Sequence, residues 1–182
     1  DELKQENPYS FLDDLLDIKV DTYCPPQEKE GYFRLRILPK KGRNVSPLPK
    51  DVSIVIDASN SISQHKLSNT AKATMELVKT LRPEDRFNVI VFRDSAQGFQ
   101  SDRVSASDDN KASAIRFLSS LESSGQTDLY SAIRPVVQSQ PREGVPSIVL
   151  VMSDGRPTKG IRDARTIINS LSAENTQGNS VF

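Results

Sequence analysis

Three short segments constrain this chain more than anything else in it: Val52-Ser53-Ile54-Val55-Ile56, Phe87-Asn88-Val89-Ile90-Val91-Phe92 and Ile148-Val149-Leu150-Val151-Met152. Each is a nearly continuous apolar run rich in β-branched residues. Strands of this kind are covered on both faces, as in a parallel sheet. Helical stripes lie between them. Leu67, Ala71, Thr74, Val78 and Leu81 step by four and three, and Pro83 follows as a stop. Ala114, Phe117, Leu118 and Leu121 form a second stripe; Leu129, Ala132, Ile133, Val136 and Val137 form a third, in which Pro135 should kink or shorten the helix. A fourth comprises Ile161, Ala164, Ile168 and Leu171. The alternation predicts an α/β fold with a doubly wound, mostly parallel sheet and right-handed crossovers.

Residues 1–50 are organised differently. Residues 1–17 are acidic and loosely patterned, and Leu16-Asp17-Ile18-Lys19-Val20-Asp21-Thr22-Tyr23 then alternates with period two. So does Tyr32-Phe33-Arg34-Leu35-Arg36-Ile37-Leu38, after a polar stretch that includes Pro25, Pro26 and Gly31. Two half-buried strands joined by a loop form a β-hairpin. Residues 39–50, with three prolines and a glycine, form a linker in which Lys40-Lys41-Gly42-Arg43 is a solvated turn. Asn44-Val45-Ser46 fits a glycosylation sequon, meaningful in a secreted eukaryotic protein. The expected division is 1–50 for the acidic segment, hairpin and linker, and 51–182 for the α/β domain. Residues 179–182 read as the start of another strand, so the chain is expected to be a piece of a longer one lacking its C-terminal strands. On that reading the strand ending at Met152 borders a gap, and its open edge favours self-association.

Composition narrows the partners. Lys+Arg and Asp+Glu are both 24, which lacks the basic excess of a nucleic-acid binder. The single cysteine, Cys24, excludes an internal disulfide framework and a cysteine-based zinc site. No apolar run is long enough to insert through a membrane as a helix, and the chain does not open with a signal-peptide pattern.

In open α/β sheets, ligands sit beyond the carboxyl ends of the strands, where the winding reverses. Three polar clusters fall there: Asp57-Ala58-Ser59-Asn60-Ser61, Gly125-Gln126-Thr127-Asp128, and Ser153-Asp154-Gly155-Arg156-Pro157-Thr158. Ser or Asp after a strand also serves as a helix N-cap. Three clusters at neighbouring strand ends offer instead a set of hard oxygen donors, which suits Mg²⁺, Mn²⁺ or Ca²⁺. Spacing by two lets Asp57, Ser59 and Ser61 face one cavity. Glycine-rich nucleotide motifs are absent, and the second position after Asp57 is Ser59 rather than the aspartate that a haloacid-dehalogenase phosphatase uses. His65, the only histidine, is expected on the surface, and Asp94 and Asp128 as loop carboxylates.

Asp57-x-Ser59-x-Ser61, Thr127 in a Gly-x-Thr loop, and Asp154 in Ser-Asp-Gly resemble the metal-ion-dependent adhesion site of von Willebrand factor A domains. The segments from Leu81 to Phe92 and from Asp154 to Gly160 are similar to the branch with inter-α-trypsin inhibitor heavy chains and bacterial exported relatives. Asn60 stands where a glycine is common between the two serines. The resemblance implies a Rossmann-like sheet and one Mg²⁺ (or Mn²⁺ or Ca²⁺). Ser59 and Ser61 would bind the ion directly, Thr127 directly or through water, and Asp57 and Asp154 mostly through water. It implies a non-enzymatic adhesion or interaction module that captures a Glu or Asp side chain of another protein, in an extracellular, cell-surface or periplasmic setting. The alternative is a hydrolase using a Mg²⁺-activated water, which needs a base that the sequence does not offer. Residues 94–110 and 156–160 are expected to rim the site and set specificity.

Overall fold

The computed structural model describes residues 15–26, 30–40 and 47–182. The sequon at residues 44–46, residues 1–14 and most of the basic turn lie outside them. Two compact units divide the chain between Pro47 and Leu48. In the first, β1 (Leu16–Tyr23) and β2 (Tyr32–Pro39) form the expected antiparallel hairpin, with Leu16 opposite Pro39 and Tyr23 opposite Tyr32. Ile18, Val20, Leu35 and Ile37 share one face; Lys19, Asp21, Arg34 and Arg36 share the other. Asp21 pairs with Arg34 and Arg36, each at 3.0 Å. The strands are not half-buried, however: all four aliphatic residues are at least half exposed. A two-stranded ribbon has no second layer of its own to cover them.

The second unit runs β3 (Asp51–Asp57), α1 (Gln64–Thr80), β4 (Arg86–Phe92), β5 (Ala96–Gly98), β6 (Val104–Ser105), α2 (Asp108–Ser119), α3 (Leu129–Val137), β7 (Ser147–Met152), α4 (Ala164–Glu174) and β8 (Ser180–Val181). The sheet order is β5-β4-β3-β7-β8, with β6 also on β4. β3 pairs in parallel with β4 and β7, and β7 with β8, while β5 and β6 are antiparallel to β4. The three apolar runs are β3, β4 and β7. They do not alternate because both faces are covered. Val52, Ile54, Ile56, Phe87, Val89 and Val91 pack with Leu67, Ala71 and Val78 of α1 and Ala114 and Leu118 of α2. On the other face Val55, Ile90, Phe92 and Val149 meet Ala132, Ile133, Val136 and Val137 of α3. The chain goes from β3 to β4 on one side and later to β7 on the other, so the winding reverses at the C-terminal end of β3.

Three expectations need correction. The fourth helix starts at Ala164, capped by Asp163, whose carboxylate accepts the Thr166 amide at 2.8 Å. It buries Ile167, and Ile168 is 62% exposed. β7 is not an open edge: Ser180 and Val181 pair with Ile148 and Val149, and Phe182 exchanges backbone hydrogen bonds with Val149 and Val151. Finally, residues 94–110 do not all rim one end of the sheet. β5 runs back along β4, and β6 pairs with Phe87 and Arg86 at the opposite end. Pro135 does fall inside α3, which is nine residues long.

Buried charge is concentrated at the N-terminal ends of the strands. Asp51, fully buried, takes Arg142 at 2.7 Å and lies 3.5 Å from Arg86 and 3.8 Å from Arg103. Asp85, also fully buried, accepts from Lys50 Nζ at 2.8 Å and from the Arg82 and Lys50 amides at 2.8 and 3.0 Å. Burial alone would raise its pKa, but the Lys50 ammonium and the two amides outweigh it and hold the carboxyl below its ordinary value. A depressed folded-state pKa contributes stability above the unfolded value of about 3.9, and that stability is lost as pH falls through the folded value. Asp85→Asn should therefore destabilise the protein at pH 7 by about 1–3 kcal/mol and flatten the acid limb of its stability curve. Urea titrations between pH 7 and pH 2 check this; an unchanged acid limb would remove Asp85 as its source.

Candidate metal centre

Asp57 is the last residue of β3 and lies opposite Phe92 of β4. From there the chain turns sharply. The Ala58 amide bonds to the Phe92 carbonyl at 3.0 Å, and the Ser59 amide donates to Asp57 Oδ1 at 3.0 Å. This short loop sets the Ser59 and Ser61 hydroxyls 2.9 Å apart. Ser63 then caps α1 by accepting the Lys66 amide.

Thr127 arrives from the loop before α3, and its hydroxyl donates to Ser59 Oγ at 2.8 Å. That loop is tied down on both sides. The Ser124 amide bonds to the Ala58 carbonyl and the Asn60 amide to the Gly125 carbonyl, at 2.9 and 3.1 Å. Ser123 Oγ donates to the carbonyls of Ser59 and Ile62 (2.9 and 2.5 Å apart). Gly125 has φ +73°, and a Cβ there would collide with the Asp94 carboxylate, so glycine is required twice over. Beyond Thr127, Asp128 caps α3 through the Ser131 amide at 3.2 Å.

The third cluster follows β7. Ser153 Oγ donates to Asp57 Oδ2 at 2.7 Å and accepts the Gly155 amide at 3.1 Å. Asp154 is exposed and accepts the Arg156 amide at 3.1 Å. The loop closes on Thr127: Thr158 Oγ1 accepts the Thr127 amide at 2.9 Å, and the Thr158 and Lys159 amides both donate to the Thr127 carbonyl. Lys159 Nζ reaches the Asp94 carbonyl at 3.0 Å. Residues 156–160 thus border the site as expected, whereas of residues 94–110 the one shown against these loops is Asp94.

The structure brings Asp57, Ser59, Ser61 and Thr127 into one hydrogen-bonded group. Asp154 stands at the mouth of the third loop and makes none of these bonds; Ser153 provides that loop's link to Asp57. Ser123, Ser153 and Thr158 are the residues whose roles sequence reasoning missed. Their hydroxyls sit in polar loops, where spacing does not say which of them turn inward.

Electrostatically, the centre is the reverse of the other end of β3. Asp57 is 2% exposed, and among the described residues it has no cationic partner. Its oxygens accept one amide and one hydroxyl. Ser59 and Thr127 are each 1% exposed. No group of three or more His, Cys, Asp or Glu occurs among the described residues, so a cation here would depend on hydroxyls. A donor set made only of oxygen fits a hard divalent ion, and a buried carboxylate without a counter-charge fits a site that receives one.

Comparison with known proteins agrees with this geometry. Residues 51–180 match the family model for the von Willebrand factor type A domain. Human inter-alpha-trypsin inhibitor heavy chain H4 is 32% identical over 153 residues, covering 80% of this chain and 16% of that protein. The chain thus spans about a sixth of that relative. The crystal structure of BatB from Bacteroides thetaiotaomicron is 25% identical with a TM-score of 0.56, covering 72% of this chain and 64% of that one. A von Willebrand factor type A protein from Catenulispora acidiphila shares the fold at 13% identity, with a TM-score of 0.70 over 92% of this chain and 39% of that one. A mostly parallel sheet wound on both faces, the polar loops at its switch point and the match over nearly all of the second unit agree: the chain belongs to the von Willebrand factor type A domain family.

Proposed function

We propose that this domain holds one divalent cation, Mg²⁺ or Mn²⁺ with Ca²⁺ as the weaker fit, and through it captures a Glu or Asp side chain of a protein partner. Domains of this family are typically metal-dependent protein-interaction modules. The observation that carries the reading is Asp57, a buried carboxylate with no cationic partner among the described residues, beside three converging hydroxyls. Ser59, Ser61 and Thr127 would hold the ion, with Asp57 and Asp154 acting mainly through water. Neutral hydroxyls and waters leave a divalent charge poorly compensated, so the ion attracts a carboxylate from outside. That supports a binding device rather than an enzyme. A hydrolase would need a base beside the ion, and His65, the chain's one histidine, is an exposed residue of α1.

Thr127 should discriminate between the two events, metal binding and partner binding. It stands between Ser59 and the loop at 156–160, and its hydroxyl would approach or leave the ion as the partner's carboxylate arrives. Thr127→Ala is expected to weaken partner binding about tenfold or more and metal binding less than that. The experiment isolates a partner by affinity capture in Mg²⁺ and repeats the capture with chelator and with Thr127→Ala. Capture that survives both unchanged would place recognition elsewhere on the domain.

A further inference from the structure

Thr127 precedes one end of α3; the other end meets an arginine that the metal centre does not touch. Arg103 comes from the loop that crosses from β5 to β6 at the sheet edge, yet it is only 6% exposed. Its guanidinium lies under the sheet. Nε donates to Ser53 Oγ of β3 at 2.9 Å, and Nη2 donates to Ser139 Oγ at 2.6 Å and to Asn179 Oδ1 at 3.3 Å. Nη1 has no hydrogen-bond partner among the described residues and lies 3.8 Å from Asp51. The groups it holds are those that finish α3. Ser139 Oγ donates to the Val136 carbonyl at 2.6 Å, and Asn179 Nδ2 donates to the carbonyls of Val137 and Ser139 at 2.8 and 3.2 Å. The last carbonyls of the helix are thereby satisfied, and a buried positive charge stands at the negative end of its dipole.

We propose that Arg103 is a positioning residue for the metal centre: by gripping the C-terminal end of α3, it fixes where Thr127, just before the N-terminal end, stands relative to Ser59. The proposal rests on the metal-binding reading above. α3 is a rod of nine residues, about 13 Å long at 1.5 Å per residue. Its buried face, Ala132, Ile133, Val136 and Val137, makes apolar contacts, which are non-directional and set its distance from the sheet rather than its position along its own axis. Directional bonds set that position: Tyr130, Arg134 and Gln138 bond to Glu174 of α4 at 2.6, 2.8 and 3.1 Å, and further bonds lie at the two ends. Those near Thr127 go to Ser59 and to loop residues Arg93, Thr158 and Lys159, whereas those at the far end go to Ser139 and Asn179, which a buried guanidinium anchored on β3 holds. Burying an arginine costs desolvation that an apolar side chain would avoid, so packing alone does not account for it.

The test compares Mn²⁺ affinity by calorimetry in the wild-type chain, Arg103→Lys, Ser139→Ala and a control, Val78→Ala. The lysine keeps the charge and loses the fork. The control removes buried volume from the far end of α1, on the other face of the sheet. Arg103→Lys should weaken Mn²⁺ binding about three- to tenfold and Ser139→Ala should shift it the same way, while Val78→Ala binds as wild type. Wild-type affinity in both α3 variants, or an equal loss in the control, overturns the proposal. Should Arg103→Lys not fold, Ser139→Ala decides alone. A wild-type chain that does not bind Mn²⁺ would fail the metal reading instead. The proposal is then decided in metal-free protein by NMR: displaced Thr127 and Asp128 amide resonances in Ser139→Ala support it, and unmoved ones overturn it.

Discussion

Asp51→Asn is expected to destabilise the domain by about 3–5 kcal/mol, the cost typical of removing one partner from a buried ion pair. Asp51 pairs with three guanidinium groups at the start of β3, at 2.7 Å from Arg142, 3.5 Å from Arg86 and 3.8 Å from Arg103. Arg142 and Arg86 are about a third exposed and can turn towards water. Arg103, with a side chain 2% exposed, cannot. Its charge would remain buried after losing the larger of the two carboxylate charges that act on it, those of Asp51 and Asp102, and this is the main part of the loss. Denaturant unfolding of the wild-type and variant proteins measures it. A change below about 1 kcal/mol would mean that Arg142 and Arg103 are held by their carbonyl and hydroxyl partners and that the carboxylate matters little.

At the other end of the same strand, the equivalent change should do almost nothing to the metal-free fold. Asp57→Asn keeps an acceptor for the Ser59 amide and can donate to Ser153 Oγ, so its stability should stay within about 1 kcal/mol of wild type. Its effect should appear when metal is added. Wild-type protein in Mn²⁺ at a hundred times the dissociation constant should gain about 2.7 kcal/mol, because ligand bound to the native state alone stabilises it by mass action. The variant should bind about 10–100-fold more weakly and lose most of that gain. Two buried aspartates on one strand thus serve opposite purposes. One is neutralised by the fold, and the other, on the proposed reading, would be neutralised by an ion. Equal metal-induced stabilisation in both proteins would contradict this.

How much of this was legible in the sequence follows from where each residue's partners lie. β3, β4 and β7 were legible because a sheet covered on both faces writes its burial as unbroken runs such as Ile54-Val55-Ile56. The spacing of Asp57, Ser59 and Ser61 was legible because residues two apart in an extended turn face one side, a relation that lies within the five residues themselves. The fourth helix was misread by one position. Ile167 and Ile168 are adjacent, and counting Ile161 into the stripe favoured the wrong one, since the Asp163 cap begins the helix only after it. The hairpin's alternation gave its faces but not their exposure, because alternation does not say whether a second layer exists. Arg103 was illegible. Gln100-Ser101-Asp102-Arg103 has the composition of a solvated loop, and only the return of the chain at Ser139 and Asn179 draws the guanidinium inward. Ser153 was invisible for the same reason: its partner is Asp57, ninety-six residues away.

The most direct measurement of the central claim is anomalous scattering from crystals of this protein grown in Mn²⁺, with Asp57→Asn as the comparison. One peak is expected at the C-terminal end of β3, among Ser59, Ser61 and Thr127, and it should be absent or much weakened in the variant. A wild-type crystal with no peak there, or a peak of equal height in Asp57→Asn, would contradict the account.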